Sequence, residues 1–125
     1  MDALSCPFCH VRKEDVVLRN DLCFALWDRH PASKGHVLII PFRHLPSYFD
    51  TTHNEKLALI DMIEKCRMLT EKQFQPDGYN IGVNIGESAG QTIMHLHIHM
   101  IPRYLGDIAD PRGGVRGAIP DKRIY

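Results

Sequence analysis

His95, His97 and His99 alternate with Leu96, Ile98 and Met100, and the run ends at Ile101-Pro102. A β-strand points successive side chains to opposite faces. The spacing therefore predicts Leu96, Ile98 and Met100 in a core and the three imidazoles on one shared face. With a strand rise of about 3.3 Å per residue, neighbouring imidazoles on that face stand roughly 6–7 Å apart. An imidazole can be a nucleophile, a general acid or base, or a metal ligand. Three on one ridge read as an active site rather than a solvated polar face. A zinc site made of all three is the weaker reading, because residues two apart on a straight strand rarely converge on one ion.

Cys6-Pro7-Phe8-Cys9 admits three readings. A dithiol redox motif needs a preceding strand, and residue 6 leaves no room for one. A zinc knuckle needs two further ligands. No second Cys-x-x-Cys exists, and Cys23 and Cys66 fall in strand and helix patterns, so histidines must complete it, with His44 and His95 as candidates. The third reading is two plain thiols.

The elements that must position these groups follow from local pattern. Val16–Leu18 and Cys23–Trp27 predict a hairpin around Arg19-Asn20-Asp21. Residues 31–35 form a loop, and His36–Ile40 is an apolar strand stopped by Pro41. Thr52 and Glu55 make a capping box that opens the one convincing helix, which runs to about Phe74 on Leu59, Ile63, Cys66 and Leu69. Pro76-Asp77-Gly78 ends it, and Tyr79–Asn84 alternates as a strand. The loop from Gly86 to Gly90 leads into the histidine run, with glycines that let backbone amides approach an anion. This order predicts an α+β fold, a mostly antiparallel sheet of about five strands with one main helix packed on it.

The 125 residues suit a single domain, 1–125, with a knuckle at 1–10 and an extended tail at 103–125. The formal net charge of zero gives no general attraction to nucleic acid or a membrane surface. No apolar run approaches the roughly 18 residues that span a bilayer. Met1–Ser5 lacks the pattern of a signal peptide, so a cytoplasmic location without structural disulfides is expected. In the tail, five cations stand against three carboxylates. They either steer a polyphosphate or belong to a solvated strap.

The segment Gly90-Gln91-Thr92-Ile93-Met94-His95-Leu96-His97-Ile98-His99-Met100-Ile101 resembles the signature of the histidine triad (HIT) superfamily, His-φ-His-φ-His-φ-φ with φ apolar. The resemblance extends to Cys6–Cys9, Asp28, Gly35–His44, Asn84 and the tail around Asp110–Arg116. It implies a HIT-like fold, a homodimer with one continuous sheet, and a nucleotide hydrolase similar to the Hint and Fhit branches. It implies that His97 attacks the α-phosphorus of a dinucleoside polyphosphate or nucleoside phosphoramidate, forms a nucleotidyl-histidine, and releases a nucleoside monophosphate. His99 and Gln91 join His97 as catalytic residues. Asn84, Gln91, Thr92 and His99 contact phosphate, Asp28 binds the ribose, and Trp27 and Leu38 flank a base, expected to be adenine. Cys6, Cys9, His44 and His95 hold a structural zinc. His36 is read as a structural hydrogen bonder, and His30 and His53 as surface residues. A nucleotidyl transferase and a non-catalytic purine-nucleotide-binding module are the rivals. His99 argues against the first, because that branch lacks histidine there, and an intact His97 argues against the second.

Overall fold

The apolar run Val37-Leu38-Ile39-Ile40 becomes the strand against which the rest of the fold is laid. In the computed structural model, which describes residues 2–125, the strands are β1 (Leu18–Arg19), β2 (Cys23–Trp27), β3 (Val37–Pro41), β4 (Gly78–Val83) and β5 (Ile98–Arg103). The helix α1 is His53–Phe74. The strands form an antiparallel sheet in the order β1-β2-β3-β5-β4. This is the expected α+β arrangement. Every residue of β3 is buried, because the strand is covered on both faces.

Register sorts the side chains. Ala25, Ile39, Ile98 and Val83 stand side by side across the sheet and face α1, which contributes Leu59, Met62 and Cys66 to the core. The adjacent row is Leu26, Leu38, His99 and Gly82. This second face is covered by the amino-terminal segment through Phe8, Val11 and Val16. The third triad histidine is therefore placed on an apolar floor, beside a glycine that leaves room next to it.

The helix begins at the predicted capping box. Thr52 Oγ1 accepts the Glu55 amide at 3.1 Å, and Glu55 Oε1 accepts the Thr52 amide at 2.9 Å. Glu55 also takes two hydrogen bonds from the Arg43 guanidinium, at 2.7 and 3.1 Å, which ties the helix start to the residue before His44. The helix ends at Gln75, in the left-handed conformation, just before Pro76. Replacing Thr52 with alanine is expected to cost about 1 kcal/mol, read by urea unfolding. An unchanged midpoint would show that the Arg43–Glu55 link alone sets the helix start.

Three expectations are corrected. The histidine strand starts only at Ile98, since residues 93–95 bend and 96–97 lie outside the ladder. The bend follows from a backbone bond outside the sheet, in which the Leu96 amide donates to the Leu45 carbonyl at 2.7 Å. Pro41 does not stop β3 but belongs to it, opposite Cys23. The tail is not extended. Its Arg123 guanidinium donates to the carbonyls of Asp110 and Arg112, and Gly114–Ala118 and Pro120–Lys122 are 3₁₀ turns. Gly113 makes this fold possible, with φ 90° and a position where a Cβ would collide with the Arg123 carbonyl. Among the described residues, no helix is long and apolar enough to cross a membrane.

Candidate active site and metal cluster

The bend before β5 splits the triad between two tasks. His95 is fully buried and turns away from His97 and His99, so the three imidazoles do not share one face. Its Nε2–H donates to the Pro41 carbonyl at 2.8 Å, which leaves Nδ1 as a lone pair. That lone pair lies 3.2 Å from His44 Nδ1, 3.4 Å from Cys6 Sγ and 3.5 Å from Cys9 Sγ. His44 Nδ1 is 3.2 Å from Cys9 Sγ. A tetrahedral zinc with S and N ligands at ordinary bond lengths sets N···N edges near ~3.3 Å and N···S edges near ~3.5 Å. The four residues fit a zinc ion on distance and on donor chemistry. Burial and the adjacent Cys6 push the Cys9 thiol up to about 11.

His97 keeps its ring in the site. Its Nδ1–H donates to the His95 carbonyl at 2.8 Å, so the neutral ring presents a free Nε2 lone pair. Phe8 packs its edge against the ring, with centroids 5.0 Å apart. Because Phe8 lies between the two cysteines, the metal cluster also fixes a wall of the site. Sequence reading missed this role; the signal was an aromatic residue inside Cys-x-x-Cys.

His99 is oriented by a chain of hydrogen bonds. The Ala32 amide donates to His36 Nδ1 at 2.9 Å, so neutral His36 carries its proton on Nε2. That proton faces His99 Nδ1 at 3.0 Å, with Asp28 Oδ2 at 3.4 Å. His99 must then carry its own proton on Nε2. The rings of His97 and His99 have centroids 5.1 Å apart. His36 is thus the structural hydrogen bonder expected, and its particular effect is to set the tautomer of His99.

A cavity of about 760 Å³ opens over these groups. Asp28, Asn84, Thr92, His97 and His99 line it with Trp27 and Leu38. Gln91 does not. Its amide oxygen accepts the Gly86 amide at 2.9 Å, and its amide nitrogen donates to the carbonyls of Pro46 and Ile93. Those bonds fasten the loop that ends at Gly90, which has φ 90°. Of the residues expected on the phosphate side, Thr92 and Asn84 line the cavity.

Burial lowers both His36 and His99 below the ordinary value of 6.5, with Asp28 opposing. For His99, the neighbouring His97 and His36 add to the lowering. The unfolded chain takes up protons near 6.5 that these rings refuse when folded. Their contribution to stability is therefore complete above 6.5 and is lost as pH falls through the folded values. The thermal midpoint is expected to drop between about pH 7.5 and pH 5, less so in His36→Gln. Equal slopes in the two proteins would rule this account out.

The HIT domain family model matches residues 10–106, so the chain belongs to the HIT family. A bis(5'-nucleosyl)-tetraphosphatase (asymmetrical) of Schizosaccharomyces pombe is 38% identical over 95 residues, 76% of this chain and 52% of that protein. An AP-4-A phosphorylase of Mycobacterium tuberculosis is 34% identical, over 74% of this chain and 48% of its own. The chain spans about half the length of these curated relatives. Among solved structures, a Zn-bound histidine triad family protein from Mycobacterium smegmatis has a TM-score of 0.76 at 27% identity. The match covers 87% of this chain and 82% of that one. A HIT family member from Bacillus subtilis has a TM-score of 0.75 at 28% identity, covering 94% and 89%.

Proposed function

We propose that this protein is a nucleotide hydrolase that cleaves at the α-phosphate through a covalent nucleotidyl-histidine. The observation that carries the reading is the pair of opposite tautomers. His97 presents an acceptor Nε2, and 5.1 Å away, between ring centroids, His99 presents a donor Nε2–H. One ring can attack phosphorus while the other donates a hydrogen bond to the departing group.

In the first step His97 Nε2 forms a bond to the α-phosphorus, and the bond to the leaving group breaks. The leaving atom takes the electron pair and a proton from solvent, with His99 Nε2–H donating a hydrogen bond to it. In the second step water attacks the phosphorus, the P–Nε2 bond breaks, and the proton lost by the water passes to solvent. The products are a nucleoside monophosphate and the protonated leaving group. Asn84 and Thr92 contact phosphate oxygens, and Asp28 takes the ribose hydroxyls. Trp27 and Leu38 hold the base, for which adenine is expected. Gln91 serves as a loop fastener rather than as a catalytic group.

Cys6, Cys9, His44 and His95 would hold a structural zinc that orients the histidine run. All four positions are filled by protein, so none is left for substrate. The names of the tetraphosphatase and phosphorylase relatives agree with a nucleotide substrate. β4 ends the sheet and has β5 as its strand partner, which suits the edge pairing of a homodimer. A cytoplasmic location remains the expectation from sequence.

The test is AMP release, followed by chromatography, from diadenosine tetraphosphate and from an adenosine phosphoramidate. Turnover of either supports the hydrolase. AMP binding without turnover of either moves the pure binding module to the front.

A further inference from the structure

The loop between β3 and α1 serves two places at once. His44 brings Nδ1 to the cysteine–histidine cluster, 3.2 Å from Cys9 Sγ and 3.2 Å from His95 Nδ1. One residue on, the Leu45 carbonyl accepts the Leu96 amide, next to His95. The following carbonyl, of Pro46, accepts Gln91 Nε2–H at 2.9 Å. Gln91 in turn accepts the Gly86 amide on Oε1 at 2.9 Å. Its side chain is buried, so these bonds are made away from water. Resting on the zinc and nucleotide readings above, we propose that Gln91 is a positioning residue that couples the metal cluster to the phosphate side of the active site, so that zinc and a nucleoside 5'-monophosphate each tighten the binding of the other.

The argument rests on how the phosphate-side turn is attached. Gly86 and Gly90 bound it with φ of 92° and 90°, and Glu87–Ala89 make a 3₁₀ turn between them. Its backbone bonds are internal, since the Ala89 and Gln91 amides donate to the Gly86 carbonyl and the Gly90 amide to that of Glu87. Among the described residues, the one hydrogen bond that leaves residues 86–91 for a distant segment is Gln91 Nε2–H to Pro46. Asn84 precedes Gly86 by two residues and Thr92 follows Gln91, and both line the cavity. Fixing His44 therefore fixes Pro46, and through Gln91 it fixes the turn that carries Asn84 and Thr92 at its ends. A turn already held in place costs less to order around a phosphate. A buried carbonyl and amide that lose Gln91 cannot turn to water without a penalty. Linkage makes the effect mutual, because two ligands that favour the same arrangement raise each other's affinity by one factor. The cluster also reaches the site through the His95 carbonyl, which holds His97, and through Phe8. Neither contact passes through Gln91, so replacing it isolates the share carried by the loop.

Zinc affinity of the full chain is measured by competition with a chelator, without and with saturating AMP, in wild type, Gln91→Ala and Gln91→Met. Methionine keeps most of the side-chain volume without its hydrogen bonds, which guards against a cavity effect. In wild type AMP is expected to tighten zinc about tenfold, and calorimetry to show AMP binding about tenfold weaker in the metal-free protein. Both variants cut that factor to about threefold or less, however far they weaken each ligand alone. A merely structural role would weaken each ligand and leave the factor at its wild-type value. A factor near one in wild type, or a wild-type factor in both variants, overturns the coupling while leaving both ligands bound. Wild type without zinc overturns the zinc reading, and wild type that takes zinc but not AMP overturns the nucleotide reading; either result removes the coupling with it.

Discussion

Purified His97→Ala is expected to release AMP at least about 10⁴-fold more slowly than wild type, with AMP affinity within a few-fold of wild type. The size follows from what the ring supplies. In the proposed mechanism it is the nucleophile of the first step and the leaving group of the second, so its loss removes the two-step route altogether. The fold should tolerate the change. His97 is half-buried, outside the strand ladder, and its one side-chain hydrogen bond goes to the carbonyl of His95. Near-identical unfolding curves for the two proteins are the control. His99→Ala provides the contrast. On the proposed mechanism it keeps the nucleophile but loses the hydrogen bond to the leaving atom, so it should slow phosphoramidates, whose amine is a poor leaving group, more than substrates with good leaving groups. A His97→Ala enzyme within tenfold of wild type would defeat the covalent mechanism.

Removal of the metal is expected to have the largest effect on stability. Wild type should carry one zinc per chain, and Cys9→Ala close to none, by metal analysis of the purified proteins. The loss should lower the thermal midpoint by about 10 °C or more, since a ligand held a thousandfold above its dissociation constant contributes about 4 kcal/mol. The cluster joins segments distant in sequence, the knuckle at Cys6–Cys9, the loop at His44 and the bend at His95. Activity should fall as well, because Phe8, held between the two cysteines, packs against His97. A metal-free wild type with the same midpoint as the zinc-loaded form would remove zinc from the structure's support. Binding should also weaken in acid, where protons compete for the thiolates and imidazoles.

Much of the scaffold was legible in the chain because it depends on local rules. The capping box at Thr52 and Glu55, the helix end near Phe74 and the apolar β3 each follow from neighbours within a few residues. The core positions of Leu96, Ile98 and Met100 also followed from alternation. The same alternation failed for His95. A regular strand was assumed where the Leu96 amide bonds the Leu45 carbonyl, and that bond depends on a residue 51 positions away. Gln91 was misplaced for a related reason. A polar side chain in a glycine loop looks free in sequence, and only the folded loop shows its amide spent on Gly86, Pro46 and Ile93.

The sequence by itself determined which chemical groups are available: three alternating imidazoles, a pair of thiols, and a strand-and-helix order that sets an α+β sheet. Tertiary structure decided which of them meet and in which protonation form. It separated His95 from its two neighbours and gave it to the cysteines. It set the tautomers of His97 and His99 through the carbonyl of His95 and the side chain of His36. It also gave the tail's arginines partners within the tail itself. The physical reason is that a hydrogen bond is satisfied by whichever partner the fold brings within about 3 Å. Sequence spacing fixes that partner only inside a single helix, strand or turn.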